Sequence, residues 1–404
     1  MTTLPQDEAR AVLYVASRLP ALSETFVYRE LLGLRGRGVD VVGASIRRPL
    51  TVPGDPAVQL LADEVTIVYS WQTAAILPVA LLRHPIEFSR ALLDALRADH
   101  ADAKSRLKHI LQSAMGLTLG WRLRKRGIGH VHAHMAHVPA TVALYAARAL
   151  GARYSFTGHA ADLFVQRAGL SFKLNQAAFV SSISHWHQEF YRTIADLDQH
   201  RVPLVRCSVA LPPESLPYSK EVVTVARLVP KKGIDLLIHA FATASLPGWR
   251  LSILGDGPER ATLETLADGL GVSDRVTFEG ARPHGECLAA IATSGMFVLP
   301  CRTAANGDKD GIPVVLMEAM AAARPVIGGD LPTIRELISD GETGLLVQPN
   351  DPEAIVAAME RIAADGEFAA QLGAQARIWI AREFSDDVNL DRLCTALNGA
   401  SRPS

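Results

Sequence analysis

Short apolar runs alternate along this chain with longer stretches in which apolar residues recur at every third or fourth position, the pattern of buried strands separated by amphipathic helices. In the first half, Val12–Ala16, Val39–Ala44, His130–His134, Tyr154–Thr157 and Val180–Ser184 read as strands. Ser23 is placed to cap a helix through Phe26, Val27 and Leu31 that stops at Gly36 or Gly38, and another helix covers Ala140–Leu150. Between them Ile76–Arg126 is helical in pattern, with Leu92, Leu93, Leu96, Leu107, Ile110 and Leu111 at helical spacing. A proline-rich stretch, Leu211–Pro217, marks a boundary. Beyond it strands are predicted at Val222–Ala226, Leu251–Leu254, Val276–Phe278, Phe297–Leu299, Pro325–Ile327 and Gly344–Val347. Helices fall at Ile234–Ala244, Glu259–Leu270, Glu286–Ala292, after Pro313, and at Pro352–Ala364. Strands spaced by helices predict an α/β protein with parallel doubly wound sheets. The expected domains are 1–215 and 216–380, with a last helix in 381–404 crossing back to the N-terminal domain. Such domains take ligands at the carboxyl ends of their strands, in the cleft between them.

Composition agrees with two cores. At 404 residues the chain is too long for one ordinary domain, and 49% hydrophobic with 21% charged residues is a globular balance. The longest apolar run, near Ala74–Leu82, is broken by Pro78 and too short to span a bilayer. The start, MTTLPQDEAR, has no apolar run of the kind a signal peptide needs, and a cytoplasmic location is expected. Cys207, Cys287, Cys301 and Cys394 are scattered, without zinc or disulfide spacing. The net charge of −1 hides an asymmetry: residues 1–215 carry 24 Lys/Arg against 17 Asp/Glu, and 83–126 carry ten against four. With few aromatics and no binding motif there, nucleic acid is not the expected partner. An anionic membrane surface fits better, which points to a peripheral position at the inner face of the membrane. The leucines of 92–111 read first as a core face, and alternatively as the apolar side of helices lying on a leaflet.

Candidate chemistry gathers at predicted strand ends. NGDKDG, residues 306–311, leads into Pro313, whose fixed φ suits a first helical position; the helix entrance behind it offers N–H groups and partial positive charge to a phosphate. Asp310 and Glu318 stand eight positions apart across that entrance, one beside the anion site and the other two turns on, where a ribose or sugar hydroxyl would be met. Their plain readings are a turn residue and a solvated helix position. In ARLVPKKG, Arg227 and Lys232 set two cations at a strand's carboxyl end, able to hold a diphosphate without metal; two exposed surface charges are the alternative. ILGDGPER, with Gly255, is half a dinucleotide fingerprint and equally a tight turn. His159 follows a strand in FTGHAADLF, either as a site residue or as a structural histidine. His130, His132 and His134 share one strand face in HVHAHMAH, but no Asp, Glu or Cys lies nearby in sequence to complete a metal site, and no metal is expected. GxSxG, HExxH, P-loop and complete GxGxxG motifs are absent.

Taken in order, ARLVPKKGIDLLIHAF, LSILGDGPER, RVTFEGARP and FVLPCRTAANGDKDGIPVVLMEAMAAARPVIGGDLPTIRELISDGETGLLVQPNDPEAI resemble the donor-binding domain of glycosyltransferase family 4. LPALSETFVYREL, VHAHMA and SFTGHAADLF are similar to the branch with bacterial exopolysaccharide enzymes of the colanic acid type. The resemblance implies a GT-B fold, two Rossmann-like domains facing a cleft, and metal-independent transfer of a sugar from a nucleotide diphosphate sugar with retention. It implies that Arg227 and Lys232 hold the diphosphate, that Asp310 takes the place of the first Glu of the family's E-x7-E pair on the sugar, and that Glu318 binds the ribose. It further implies that backbone groups of Gly311, Ile312, Pro313, Val314 and Val315 face phosphate and sugar, that Ala281–Pro283 with Arg282 touch the base, and that His159 lies near the reacting carbon. His134 and Gly255 are expected to line the substrate site, and Ser23 with Glu24 to stand where many members use paired glycines. No cofactor is expected beyond the UDP- or GDP-sugar donor; the acceptor is a sugar, lipid-linked or small-molecule hydroxyl. A phosphorylase on the same fold and a non-catalytic nucleotide-sugar binder are the alternatives.

Overall fold

The computed structural model describes residues 11–399 apart from 22–23, 53, 100–101, 160–162, 164–168 and 213–216. Ser23, expected as a helix cap and substrate contact, lies outside the described residues, as does part of the proline-rich stretch. The chain divides into two compact units. Unit 1 runs to Arg206 and resumes at Asn389, and unit 2 is Cys207–Val388.

Unit 1 is built in the order β1 (Ala11–Ala16), α1 (Thr25–Gly36), β2 (Val41–Ser45), α2 (Pro56–Glu64), β3 (Thr66–Ile67), α3 (Trp71–Ala75), α4 (Leu77–Arg83), α5 (Pro85–Arg97), α6 (Ala103–Leu123), β4 (Ile128–His134), α7 (Val138–Leu150), β5 (Arg153–Thr157), α8 (Leu170–Gln176), β6 (Phe179–Ser181) and α9 (His185–Ile194). All pairings are parallel, in the order β3-β2-β1-β4-β5-β6. The central strand β1 is buried along its whole length. Ala11, Leu13 and Val15 enter one apolar cluster, and Val12, Tyr14 and Ala16 enter another on the opposite face. Helices on both faces of a parallel sheet produce this double burial, which is why the strand reads as an unbroken apolar run.

Unit 2 repeats the plan: β7 (Glu221–Val225), α10 (Ile234–Thr243), β8 (Arg250–Leu254), α11 (Arg260–Gly269), β9 (Val276–Gly280), α12 (His284–Thr293), β10 (Met296–Leu299), α13 (Val314–Ala321), β11 (Val326–Gly329), β12 (Leu345–Val347), α14 (Pro352–Ala364) and α15 (Gly366–Glu383). A last helix, α16, spans Asp386–Gly399. The strand order β12-β11-β10-β7-β8-β9 is that of the first sheet, counted from its own first strand. Both are the Rossmann order, whose direction of winding reverses between the first and fourth strands, here β1/β4 and β7/β10.

Two expectations are corrected. The structure shows short elements that the pattern did not reveal, α2 and the two-residue β3 among them. More consequentially, the leucines of α5 and α6 are not core: Leu92, Leu93, Leu96, Leu107 and Leu111 are exposed, Leu96 by 66%. The buried side of α5 is Ala91, Asp94 and Ala95. Asp94 accepts from Tyr145 OH at 2.9 Å and from Arg148 Nη1 at 2.6 Å, so a polar tie to α7 decides which face of α5 turns inward. α6 meets α7 through Gly116 and Gly120; a Cβ on Gly116 would stand 2.5 Å from the Val142 carbonyl oxygen.

Candidate functional site

In unit 2 the strands that meet at the winding reversal end in the loops that carry the predicted chemistry. β7 runs out into Ala226–Val229 and then a single 3-10 turn, Pro230–Lys232, closed by Gly233 at φ 67°. A Cβ at Gly233 would stand 2.2 Å from the Pro300 carbonyl oxygen, so the loops after β7 and β10 touch here and only glycine fits. Arg302 fastens the turn: its backbone N–H donates to the Lys231 carbonyl at 2.9 Å, its Nε to the Pro230 carbonyl at 2.9 Å, and its Nη2 to both Asp235 carboxylate oxygens.

This construction delivers Lys232 to Asp310, with Nζ 2.8 Å from Oδ2. Lys231 Nζ is 3.4 Å from the other oxygen of Asp310 and 3.2 Å from Asp308. The Cys301 thiol donates to Asp310 Oδ2 at 3.1 Å, and Thr333 Oγ1 donates to the Asp310 carbonyl at 3.0 Å. Burial works against the charge on Lys232, but Asp310 outweighs it and its pKa is raised. Burial also pushes Asp310 upward, yet Lys232 and then Lys231 hold its carboxyl below the usual range. Burial, followed by the Asp310 charge, drives the Cys301 thiol well up, so it serves as a donor and not as a nucleophile.

Four residues after Asp310 helix α13 begins, at Val314, with Pro313 as its N-cap in extended conformation. Pro313 therefore precedes the first helical position expected for it; its φ of −66° fits a helix, but its ψ of 120° does not. The N–H groups of Val314 and Val315 lie in the first turn, where no intrahelical acceptor exists. Gly311, Ile312 and Pro313 are buried. Glu318, also buried, accepts from His284 Nε2 at 2.8 Å on Oε1, and Oε2 has no hydrogen-bond partner among the described residues.

The remaining predicted residues rim these loops. Arg227 is exposed, without an ion-pair partner among the described residues. Its backbone neighbours are fixed, Ala226 N–H to the Leu254 carbonyl and Leu228 N–H to the Asp256 carbonyl, both at 3.0 Å. Gly255, at φ 131°, lies so close that a Cβ would stand 1.8 Å from the Ala226 oxygen, so packing alone requires that glycine. Arg282 is exposed and paired with Glu279 at 2.6 Å.

In unit 1 the histidines of β4 line the sheet face that carries Tyr14. His130 and His132 share the Ser155 hydroxyl at 2.6 and 2.7 Å, and His132 Nε2 meets Thr157 Oγ1 at 3.0 Å. Burial first, then Arg153, lowers the His130 pKa to about 3. Burial first, and then the neighbouring histidines, hold the His132 pKa well below the usual range. His134 is different. Its Nε2 is 2.9 Å from Glu30 Oε1 and its Nδ1 3.3 Å from His159 Nε2, which joins two predicted residues and an acid. The structure thus corrects the expectation that no carboxylate stands near these histidines: Glu30 arrives from α1. Glu30, His132 and His134 each bring a potential ligand atom within 4.8 Å of the others. Every ring nitrogen of His132 and His134 already has a hydrogen-bond partner, so the cluster is a satisfied polar network.

Of the residues expected from the sequence, the structure brings Lys232 onto Asp310 and His134 onto His159; Lys231, Cys301, Thr333, His284, Glu30 and Tyr14, which the sequence did not single out, contact Asp310, Glu318 and His134 or their partners. His284 follows Pro283 in the loop expected at the base, and that placement was the available signal. No helix among the described residues is long and apolar enough to cross a membrane.

With the geometry in view, comparison with known proteins is informative. A GDP-mannose-dependent alpha-(1-6)-phosphatidylinositol monomannoside mannosyltransferase of Mycolicibacterium smegmatis is 36% identical over 181 residues, 44% of this chain and 47% of that protein. A putative colanic acid biosynthesis glycosyltransferase, WcaL, of Escherichia coli is 36% identical over 174 residues, 42% of each chain. The chain thus aligns with about half the length of these curated relatives. Among solved structures, Anabaena HepE in complex with UDP superposes with a TM-score of 0.71 at 15% identity, over 96% of this chain and 100% of that one. Sucrose-phosphate synthase from Thermosynechococcus elongatus gives 0.71 at 19%, over 97% and 100%. The fold class is accordingly GT-B, with two Rossmann-like sheets, and the family of glycosyl transferases group 1 matches residues 214–379, the part of the chain that holds Lys232, Asp310 and Glu318.

Proposed function

We propose that the chain is a retaining glycosyltransferase that moves a sugar from a nucleotide diphosphate sugar to an acceptor hydroxyl in the synthesis of a bacterial polysaccharide or glycolipid. The observation that carries this reading is the Lys232–Asp310 pair at the strand ends where the unit 2 sheet reverses its winding, directly ahead of the entrance of α13. Lys232, Arg227 and the first-turn N–H groups of α13 offer positive charge to a diphosphate leaving group, and such preorganised charge in a dry site stabilises departure. These groups take the part a metal plays elsewhere, so transfer is expected to survive excess EDTA. The oxygen of Glu318 that has no partner among the described residues offers an acceptor to a ribose hydroxyl. Asp310 has a role different from direct sugar contact alone: both of its oxygens are engaged by lysines, and it sets the lysine that meets the phosphate. His159 is assigned to the transferred sugar. The diphosphate itself serves as the base toward the incoming hydroxyl, which attacks the same face it leaves, and no glycosidase-like carboxylate pair is invoked.

The donor base is tested directly, because the mannosyltransferase is named for GDP-mannose whereas HepE was solved with UDP. A thermal-shift panel of UDP, GDP and their sugars should show one series stabilising the chain. Hydrolysis or transfer assays with the best binder, with and without EDTA, follow. Lys232→Ala should cost on the order of 10²-fold in turnover. Lys231→Ala should cost less, through loosened placement of Asp308 and Asp310. Stabilisation by a nucleotide sugar with no turnover on any acceptor or water would favour the non-catalytic binder, and loss of activity in EDTA restored by Mn²⁺ would remove the metal-independent reading.

We also propose peripheral attachment to an anionic membrane surface through α4, α5 and α6, where Leu82, Ile86, Leu96, Leu107 and Leu111 are exposed among arginines and lysines.

A further inference from the structure

A chain of hydrogen bonds inside unit 1 reaches from the core to His159. Tyr14 OH donates to Glu30 Oε1 at 2.6 Å, and the same oxygen lies 2.9 Å from His134 Nε2. His134 Nδ1 lies 3.3 Å from His159 Nε2, with the two rings stacked at an interplanar angle of 20°. The residues next to the two histidines are constrained. Met135, directly after His134, sits at φ 79°, a conformation rare for a side-chain-bearing residue, and its N–H donates to the Thr157 carbonyl at 2.9 Å. A Cβ on Gly158, directly before His159, would stand 2.4 Å from the Tyr191 hydroxyl and 2.9 Å from a Leu163 methyl, so a side chain there would have to displace them. Phe26 packs on the His159 ring, 4.7 Å between centroids.

The order of donors and acceptors along this chain fixes where the protons are. A carboxylate has no proton to give, so Tyr14 and His134 Nε2 both donate to Glu30. A neutral His134 then has only a lone pair on Nδ1, and the bond to His159 requires a proton on His159 Nε2. We propose that Glu30 is a positioning residue that holds the proton of His134 on Nε2, so that His134 Nδ1 accepts from a protonated His159 Nε2 and fixes the orientation of the His159 ring. Its consequence for sugar transfer rests on the function proposed above. The proton positions themselves do not.

The test uses the full chain with ¹⁵N-labelled histidine, without ligand, at a pH of about 8, where unperturbed imidazoles are neutral. Two-bond ¹H–¹⁵N correlations distinguish the tautomers, and His134→Ala and His159→Ala assign the signals. His134 is expected as the Nε2–H form, and His159 with its Nε2 protonated. In Tyr14→Phe this should persist, because Glu30 remains. In Glu30→Ala the patterns should move toward a mixture of tautomers, and Glu30→Leu, which keeps the bulk but carries no acceptor, serves if the alanine variant does not fold. An Nδ1–H form or an imidazolium at His134 in the wild type, or patterns unchanged by both Glu30 substitutions, overturns the proposal. If the chain transfers sugar, Glu30→Ala should lower turnover at saturating donor by about ten-fold with nucleotide affinity unchanged, as misplacement of one group does. Correct tautomers in a chain that transfers nothing leave the proton assignment standing and remove only the reading of the reaction.

Discussion

The residue that connects stability to the site is Asp310. It is buried against two lysines and a thiol, and removing one partner of such a pair leaves the other charge uncompensated, at about 3–5 kcal/mol when burial is complete. The lysines keep 15% of their side chains exposed, so Asp310→Asn should cost somewhat less, roughly 2 kcal/mol. Its pH dependence follows from the shifts. The folded carboxyl titrates below its unfolded value of about 3.9, so its stabilisation is present above that value and lost as pH falls through the folded one. Lys232 is raised, so its share is complete below an unfolded value of about 10.4 and lost as pH rises through the folded one. The gap between wild type and Asp310→Asn in urea midpoints should therefore be flat from about pH 5 to 9 and close in acid. A gap that grows in acid would contradict the pairing. At Glu318, alanine should weaken nucleotide binding at least ten-fold by calorimetry, while His284→Ala, which removes only the group orienting Oε1, should weaken it less. The reverse ranking would make His284 the ligand contact. Lys232, Asp310 and Glu318 were legible in sequence because charged residues at strand ends and helix entrances have few structural reasons to be there. Their partners were not, because Lys231 looks outward-turned in a linear reading. In a 3-10 turn of three residues per repeat, adjacent side chains diverge by a third of a turn and can still close on one carboxylate.

At the scale of elements, the alternation of strands and helices was legible, since a strand buried on both faces has no other way to appear than as an apolar run. The order of the strands was not, because nothing local distinguishes β10 as the neighbour of β7. Helix faces failed where burial rests on polar ties and small residues: α5 turns Ala91, Asp94 and Ala95 inward and leaves its leucines outside. Glycines carried more than their motif suggested. Gly255 marks a backbone crossing, and Gly255→Ala combines an unfavourable φ with a clash against Ala226, on the order of 3 kcal/mol or more. Gly269, at the end of α11 with nothing near its Cβ position, is the internal control; alanine there should be neutral or stabilising by up to about 1 kcal/mol. Denaturation midpoints decide, and equal effects at the two glycines would show that the crossing tolerates a side chain.

At the scale of the whole molecule, two sheets of one strand order carry opposite charge, residues 1–215 net +7 and 216–404 net −8. On the proposed function, a donor diphosphate met by an acidic unit would depend on local cations, of which Lys232 and Arg227 are the candidates. The positive excess of 83–126 has no such local use. Some of its members are structural: Arg122 donates to Thr73 Oγ1 at 2.9 Å, tying α6 to α3, and Arg124 lies 3.9 Å over the Trp121 ring. Lys104, Arg106 and Lys108 are exposed on the first turns of α6, interleaved with the exposed Leu107 and followed by Leu111. Basic residues among exposed leucines fit an anionic leaflet, and each cation near such a surface contributes about 1 kcal/mol at moderate salt. Three together are worth about two orders of magnitude in affinity, enough for reversible attachment near a lipid-linked acceptor. Co-sedimentation with vesicles should show binding that needs anionic lipid, falls as salt rises, drops about 10²-fold when Lys104, Arg106 and Lys108 become Gln, and weakens separately in Leu107→Ser with Leu111→Ser. Neutral vesicles should not bind. Absence of binding, or binding indifferent to salt and lipid charge, would make these helices a solvated face and direct the search for the acceptor to soluble sugars.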